Sequence, residues 1–206
     1  MRRIGFVILT FAVLLSFSCS TKVNPKVIYK GTYGSYVNVL DQWTRSKKVY
    51  EPSFDTVMVV TATYESKKYR EVFLAEKIRA EAIPPQEAAR LREQSDEELS
   101  RNAVFFVSFY TPKYKWNRLN VDDPSWRLWL IDGQGKKVAP LNVRKVSKIQ
   151  YADTQYYPYY DLWSYFYRVT FPRKTDDGQE LDLDKGMVTF QVAGVKGNAS
   201  LVWDIP

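Results

Sequence analysis

Residues 103–111 read AVFFVSFYT, and nearly every side chain in this stretch is apolar. In an extended strand, successive side chains point to opposite faces. Both faces are apolar here, with Ala103, Phe105, Val107 and Phe109 on one and Val104, Phe106 and Tyr110 on the other. A strand that is covered on both faces lies inside a sheet rather than at its edge. The stretch therefore predicts the central strand of the fold.

Further strands are predicted on both sides of this centre. The segment 55–64 (DTVMVVTATY) is dense in β-branched residues, which favour strands. Alternation of apolar and polar residues marks three more segments, at 126–130, 188–192 and 199–205. Short strands separated by turn signals are typical of a β-sandwich. We therefore expect one mainly β domain, a single β-sandwich covering residues 27–206.

A helical insertion is predicted between two of these strands. Residues 66–102 are rich in Ala, Glu, Arg and Lys and contain few β-branched residues, a composition that favours helix. Pro84 and Pro85 interrupt the segment, and proline is well tolerated in the first turn of a helix. We expect the insertion to be helical, with a second helix beginning at Pro85.

The most aromatic part of the chain reads QYYPYYDLWSYFY, residues 155–167. A strand beginning at Leu162 would carry a continuous apolar face, formed by Trp163, Tyr165, Tyr167, Val169 and Phe171. We expect these side chains to pack in the sandwich core. The opposite face, which includes Phe166 and Arg168, is mixed and is expected to tolerate water.

Four tyrosines precede that strand and need a different explanation: Tyr156, Tyr157, Tyr159 and Tyr160. Pro158 lies among them, and proline is excluded from central strands, so this part is predicted to be a connection. Tyrosine offers a large contact area at a low cost in conformational entropy. An exposed loop of this kind is a candidate binding surface for a glycan or another protein. The alternative is that two of the tyrosines fold back over the sandwich edge as a lid on the core.

A short motif within the same run resembles immunoglobulin-like domains. Those domains carry an aspartate, a corner tyrosine and a cysteine in the pattern D-x-x-x-Y-x-C. Asp161, Tyr165 and Tyr167 occupy the three places, with Tyr167 in place of the cysteine. The resemblance implies that the sandwich is immunoglobulin-like, with a helical insertion between two strands.

The first residues have the features of a secretory signal peptide. Arg2 and Arg3 precede an apolar stretch, Ile4 to Phe17, which is too short for a comfortable transmembrane helix. A positive start followed by a short apolar segment and small residues is typical of a signal that is cleaved on export. Residues 1–18 are therefore predicted to be removed.

Cys19 is the only cysteine of the chain, and it lies at the predicted cleavage site. With Ser18 before it, the site resembles the lipobox of bacterial lipoproteins, whose cysteine receives a diacylglyceryl group and becomes the mature N-terminus. The resemblance implies lipid attachment at Cys19 and a tether over residues 19–26. Because Ser20 follows, it also implies an outer-membrane lipoprotein, on the periplasmic or surface face. Ordinary cleavage after Ser18 is the alternative.

The types of residue present exclude several kinds of catalysis. The chain has no histidine, so it lacks Ser-His-Asp machinery, histidine-bearing zinc sites and the usual general base near neutral pH. Carboxylates are dense at 175–186, but their spacing fits no EF-hand, and a solvated turn is the expected structure. We expect no enzyme activity, no metal and no cofactor. A carboxylate-based hydrolase is the least favoured function.

Charge and export together indicate the class of function. Without Arg2 and Arg3, the 30 basic residues fall to 28 against 23 acidic ones, a net charge of +5 that is dispersed along the chain. Dispersed charge on an exported protein argues against nucleic-acid binding.

The sequence predicts an exported, lipid-anchored envelope protein that acts as a non-catalytic interaction or structural module. Its expected partners are the membrane, through the lipid, and an envelope protein or glycan; a glycan-binding module that uses the exposed tyrosine loop is the alternative.

Overall fold

The computed structural model describes residues 32–122, 125–146, 156–159 and 161–206. Over these residues the chain is mainly β, with nine strands, three α-helices and one short 3-10 helix. The predicted signal peptide, the tether with Cys19, and Tyr160 lie outside the described residues.

The elements follow one another in this order: α1 (Thr32–Trp43), β1 (Thr44–Tyr50), β2 (Thr56–Tyr64), α2 (Lys67–Ala80), α3 (Pro85–Arg101), β3 (Asn102–Tyr110), the 3-10 helix (Tyr114–Trp116), β4 (Arg127–Ile131), β5 (Lys137–Val138), β6 (Asn142–Lys145), β7 (Tyr165–Pro172), β8 (Gly186–Gly194) and β9 (Gly197–Ile205). The two helices α2 and α3 lie between β2 and β3, where the sequence predicts a helical insertion.

The first sheet contains five antiparallel strands in the order β1-β2-β3-β7-β6. β3 lies at its centre, where Val107 pairs with Ala62 of β2 and Phe105 pairs with Val169 of β7. The central position predicted from the two apolar faces of residues 103–111 is confirmed.

The second sheet contains four antiparallel strands in the order β5-β4-β8-β9. β8 and β9 form a hairpin that closes where Gly194 pairs with Gly197. Gly194 has no space for a side chain, because a Cβ there would lie 2.4 Å from the carbonyl oxygen of Ser125 and 2.6 Å from the ring of Trp126. This close approach holds the hairpin end against the segment that leads into β4.

One hydrophobic core lies between the two sheets, an arrangement consistent with a β-sandwich. At its centre the ring of Phe105 contacts Tyr64, Phe190 and Trp203, with centroid distances of 4.8, 5.2 and 5.5 Å. Tyr167 is also buried, and its hydroxyl accepts a hydrogen bond from the Leu119 N–H at 3.1 Å. Burial of these large rings, together with the aliphatic side chains around them, removes apolar area from water and so stabilises the domain.

The three helices cover the outer face of the first sheet. α2 begins after Ser66, whose hydroxyl accepts a hydrogen bond from the Tyr69 N–H, and α3 begins at Pro85, as predicted. A second apolar cluster lies between the helices and the sheet, and it includes Phe106, Phe166, Tyr36, Val37, Leu40 and Tyr69. The face of the sheet that was expected to tolerate water is therefore covered, since the alternation of residues cannot show which elements pack on it.

β7 begins at Tyr165, later than the strand predicted from Leu162. Leu162 and Trp163 lie in a turn before it, and 77% of Trp163 is exposed. The prediction that Trp163 packs in the core is therefore wrong. Tyr167, Val169 and Phe171, which were predicted on the same face, are buried in the core.

Candidate functional site

The predicted tyrosine loop folds under the helices instead of facing solvent. Only 2% of Tyr156 and 3% of Tyr157 are exposed. The ring of Tyr157 stacks on Phe106 of β3 at a centroid distance of 3.8 Å, and the Tyr156 carbonyl accepts a hydrogen bond from the Tyr36 hydroxyl at 2.6 Å. The exposed-loop interpretation is wrong for Tyr156 and Tyr157. The alternative, in which two of the tyrosines fold back onto the domain, describes them better, although they cover the outer face of the first sheet beneath α1 and α2 and not the sandwich edge.

Tyr159 is partly buried beside the same cluster. Its hydroxyl lies 2.7 Å from the hydroxyl of Thr63 and 3.4 Å from the carbonyl oxygen of Phe106. Burial raises the pKa values of both Tyr157 and Tyr159 well above the ordinary value for tyrosine. Stacking on a sugar requires an open ring face. Tyr156, which packs on Tyr36, and Tyr157, which packs on Phe106, do not offer one.

Four charged side chains form a network on the outer face of the first sheet, beside α2 and α3: Glu65, Arg70, Glu98 and Arg168. Arg168 donates two parallel hydrogen bonds to Glu98, each 2.7 Å long. Glu65 accepts from Arg70, and from the Tyr157 hydroxyl at 3.1 Å. A buried carboxylate that lacks such partners strongly destabilises a fold, so each partner in the network is needed by the others.

The network keeps both carboxylates ionised. Burial by itself would raise the pKa of Glu65, but the Arg70 and Arg168 guanidiniums outweigh it and hold that pKa below its usual range. Burial also opposes ionisation of Glu98, and the hydrogen bonds and charge of Arg168 lower its pKa. A carboxylate-based glycoside hydrolase needs one acid with a raised pKa. The cleft of about 460 Å³ beside these groups does not supply that acid from this pair.

A wider groove of about 650 Å³ lies where β2 ends, at Tyr64. Trp43, Tyr64 and Trp203 line it, and they are bonded to one another: the Trp203 indole donates to the Trp43 carbonyl at 2.8 Å, and the Tyr64 ring contacts both indoles. Arg45 at the rim donates to the Val202 carbonyl at 3.0 Å. These contacts join the two sheets at this end, while the Trp43 indole N–H is buried without a hydrogen-bond partner among the described residues.

A different surface exposes the side chains of Tyr114, Leu162 and Trp163 beside the half-buried rings of Trp116 and Tyr165. It lies where β3 ends and β7 begins, since Phe109 pairs with Tyr165. We call it the aromatic–lysine end and define it by Lys113, Tyr114, Lys115, Trp116, Lys145, Leu162, Trp163, Tyr165 and Lys196. The exposed fractions are 81% for Tyr114, 80% for Leu162 and 77% for Trp163. Large apolar side chains that are exposed side by side mark an interaction surface more often than chance.

The turn that presents Leu162 and Trp163 is held by Asp161. One carboxylate oxygen of Asp161 accepts from the N–H groups of Trp163 and Ser164, at 2.7 and 2.6 Å, and the other accepts from the Ser164 hydroxyl at 2.7 Å. Asn117 fixes the same turn from the neighbouring loop by donating to the Trp163 carbonyl at 3.3 Å. The two side chains are therefore exposed on an ordered backbone.

Lysines surround the rings of this surface. Three ammonium groups lie near the Trp116 ring, at 4.9 Å for Lys113, 5.3 Å for Lys115 and 5.4 Å for Lys196. Lys145 lies 3.3 Å from the centroid of Tyr165. The hydroxyls of Tyr114 and Tyr165 share a hydrogen bond, and this bond raises the pKa of Tyr165. Such cation–π contacts hold positive charge beside exposed apolar surface.

The acidic segment 175–186 forms turns in which the carboxylates have separate partners. Asp184 pairs with Arg173 at 2.6 Å and Glu180 pairs with Lys174 at 3.2 Å. Asp177 accepts from the Thr175 hydroxyl, which lowers the pKa of Asp177. Among the described residues, no group of three or more potential ligands is arranged to hold a metal ion.

One sequence pattern indicates the aromatic–lysine end, and it is not found by examining the alternation of side chains along strands. Residues 113–116 read KYKW, which places a lysine beside each of two aromatic residues directly after the central strand. The contribution of Lys145 and Lys196 could not be read in this way, because they reach the surface from β6 and from the hairpin between β8 and β9.

Comparisons with known proteins add no relative. No family model, no curated protein and no solved structure matches the chain. Within the described part of the chain, no helix combines the length and the apolar character needed to cross a bilayer.

Proposed function

We propose that this chain is an exported, lipid-anchored envelope protein whose folded domain acts as a non-catalytic interaction module. The aromatic–lysine end is its contact surface. The observation that carries the proposal is the exposure of Leu162 and Trp163 on a turn that Asp161 holds in place. Exposing these side chains to water has a cost that contact with a partner removes.

Two features support a role in contact for this surface. The core between the sheets is already filled by other rings, among them Phe109 and Trp126, whose centroids lie 5.4 Å apart. Leu162 and Trp163 are therefore not needed to complete the core. Aromatic residues are also enriched at the centres of interfaces, where they contribute most of the binding energy.

The anchor in this proposal is the lipid on Cys19. Residues 1–18 would be removed, and the tether over 19–26 would hold the domain close to the outer membrane, on the periplasmic or surface face. Two or more acyl chains anchor a protein stably, whereas a single chain does not. A radiolabelled fatty acid supplied to producing bacteria is expected to label the protein, and Cys19→Ser is expected to remove the label. Ordinary cleavage after Ser18 predicts no label in either protein.

Thiol accessibility tests the contact surface itself. Cys19 is the only native cysteine, so in the lipidated protein an introduced cysteine is the only free thiol. We expect Tyr114→Cys, which leaves Leu162 and Trp163 in place, to react slowly with a bulky maleimide in isolated envelopes and quickly once the protein is released and purified. Met187→Cys, at an exposed position in β8, is the matched control and should react equally in both states. Equal reactivity of the two cysteines in envelopes would overturn the proposed surface.

The other functions considered for this chain have less support. Glycan binding through the tyrosine loop requires open ring faces, and Tyr156 and Tyr157 are buried. A carboxylate-based hydrolase requires an acid that the Glu65–Glu98 pair does not supply.

For the fold, we propose the immunoglobulin-like description as the finer one. Its support is the motif formed by Asp161, Tyr165 and Tyr167, together with the two antiparallel sheets. An experimental structure superposed on immunoglobulin-like domains tests it. The proposal requires the strand that carries Tyr165 and Tyr167 to occupy the same place in the sheet as the strand with the corner tyrosine.

A further inference from the structure

We infer that the aromatic–lysine end docks on the surface of an anionic lipid bilayer. This inference rests on the proposed function, because it names the partner of the same surface. Its apolar tip, Leu162 and Trp163, enters the boundary between headgroups and acyl chains, while the surrounding lysines bind anionic headgroups. Three properties of the surface carry the argument: its shape, its charge and the type of its cations.

The shape is a projection rather than a pocket. Leu162 and Trp163 are adjacent residues, and at least three quarters of each side chain is open to water. The Asp161 hydrogen bonds fix their backbone, so little conformational freedom is lost when they insert. Tryptophan is enriched at membrane–water interfaces, where its apolar ring and its polar N–H are both accommodated.

The charge of this surface is complementary to anionic headgroups. Four exposed lysines, Lys113, Lys115, Lys145 and Lys196, belong to it. Asp161 is the acidic residue of the turn, and both of its oxygens accept hydrogen bonds from the turn itself. Each lysine near an anionic membrane surface adds an attraction that weakens as salt rises.

The type of cation favours a bilayer over a protein partner. Cores of protein interfaces are enriched in aromatic residues and arginine but depleted in lysine. Here lysines lie against the rings, as shown by the three ammonium groups around Trp116. Lysine extends its charged head toward water while its stem covers apolar surface, which suits a position at the level of the headgroups.

The anchor makes weak docking sufficient. A domain tethered close to a membrane experiences a high effective concentration of lipid, so the second contact forms at modest intrinsic affinity. Docking then fixes the orientation of the domain and turns the groove beside Trp43 and Trp203, where β2 ends, away from the bilayer.

Vesicles with brominated acyl chains test this inference, because bromine quenches tryptophan only within the bilayer. The mature protein purified from envelopes is reconstituted in neutral vesicles and in vesicles that contain phosphatidylglycerol. Flotation of the vesicles reports anchoring, and the difference in quenching between the native protein and Trp163→Phe reports insertion of Trp163. We expect strong quenching of Trp163 with phosphatidylglycerol and little with neutral lipid, and we expect high salt to reduce it.

Two variants locate the interaction. Leu162→Ser should reduce the quenching of Trp163, and the triple variant Lys113→Gln, Lys115→Gln and Lys196→Gln should weaken docking about tenfold or more. The matched control changes three exposed lysines at the opposite end of the sheets, Lys67, Lys68 and Lys137, to glutamine. It removes the same net charge and should leave the quenching unchanged.

The outcomes separate the inference from the proposed function. Flotation without quenching of Trp163, or equal quenching in neutral and anionic vesicles, overturns the docking and leaves the anchor. Flotation and quenching that depend on phosphatidylglycerol overturn the anchor and support the docking. Protection of Trp163 by isolated sacculi or by an envelope protein, without quenching by lipid, assigns the surface to another partner and contradicts the inference.

Discussion

Two pairs of neighbouring residues in the aromatic run at 155–167 have opposite environments: Tyr156 and Tyr157, which we call the buried half, and Leu162 and Trp163, which we call the exposed half. Tyr156 and Tyr157 lie beneath the helices, although proline and loop-like neighbours mark them as a connection. Leu162 and Trp163 are exposed, although the alternation of side chains along the predicted strand places Trp163 on its core face. What separates the two pairs is the layer that covers them: the helices lie over Tyr156 and Tyr157, and no element of the described chain covers Leu162 and Trp163. Aromatic density alone therefore identifies neither a core nor a binding surface.

The largest expected effect in this comparison is on stability. Tyr157→Ala removes a ring stacked on Phe106 and a hydrogen bond to Glu65, and we expect a loss of about 3–5 kcal/mol in the free energy of unfolding. Trp163→Ala should change it by about 0.5 kcal/mol or less, as at other exposed positions. Urea denaturation of both variants makes the measurement. Equal losses would remove the distinction between the halves.

The next effect concerns the ion network that supports the buried half. Arg168→Met leaves Glu98 without its paired hydrogen bonds and Glu65 with Arg70 alone among its charged partners. We expect a loss of about 3 kcal/mol, since a buried carboxylate has lost its charge partner. Arg144→Met, an exposed arginine at the same cleft, is the control and should be close to neutral. Equal stability of the two variants would show that Arg168 does not stabilise the buried carboxylates.

The same network predicts a dependence of stability on pH. The pKa values of Glu65 and Glu98 are lower in the folded protein than the ordinary value of 4.5. Their contribution is therefore complete above that value, and it is lost as the pH falls through the lower folded pKa values. We expect the urea midpoint to decrease with acidification in this range and to decrease less in Arg168→Met. A midpoint that is independent of pH would contradict the ionised state of the pair.

The smallest expected effect is on the exposed half. Asp161→Ala removes three hydrogen bonds from the turn, but the turn is exposed, so we expect a cost of about 1 kcal/mol. The clearer change should be local, with faster hydrogen exchange at the Trp163 and Ser164 amides than in the native protein. Asp161→Asn keeps acceptor oxygen at the same place and should restore most of the protection.

The predictions from sequence succeeded where one element determined the outcome. β3 was placed correctly because both of its faces are apolar, and Pro85 marked the start of α3. They failed where a second element decided. Arg168 was expected to face water, but α3 brings Glu98 to it. Alternation assigned Trp163 to a strand, because it does not register the hydrogen bonds by which Asp161 makes a turn.

The most direct test is hydroxyl-radical footprinting, read by mass spectrometry, of the purified protein and of the protein in the cell envelope where we propose that it resides. In the purified protein, Trp163 and Tyr114 should be oxidised rapidly, and Tyr156 and Tyr157 should be protected. In the envelope, Trp163 and Tyr114 should become protected as well, while an exposed residue elsewhere, Met187, keeps its reactivity. Rapid oxidation of Tyr157 in the purified protein, or unchanged oxidation of Trp163 in the envelope, would contradict the account.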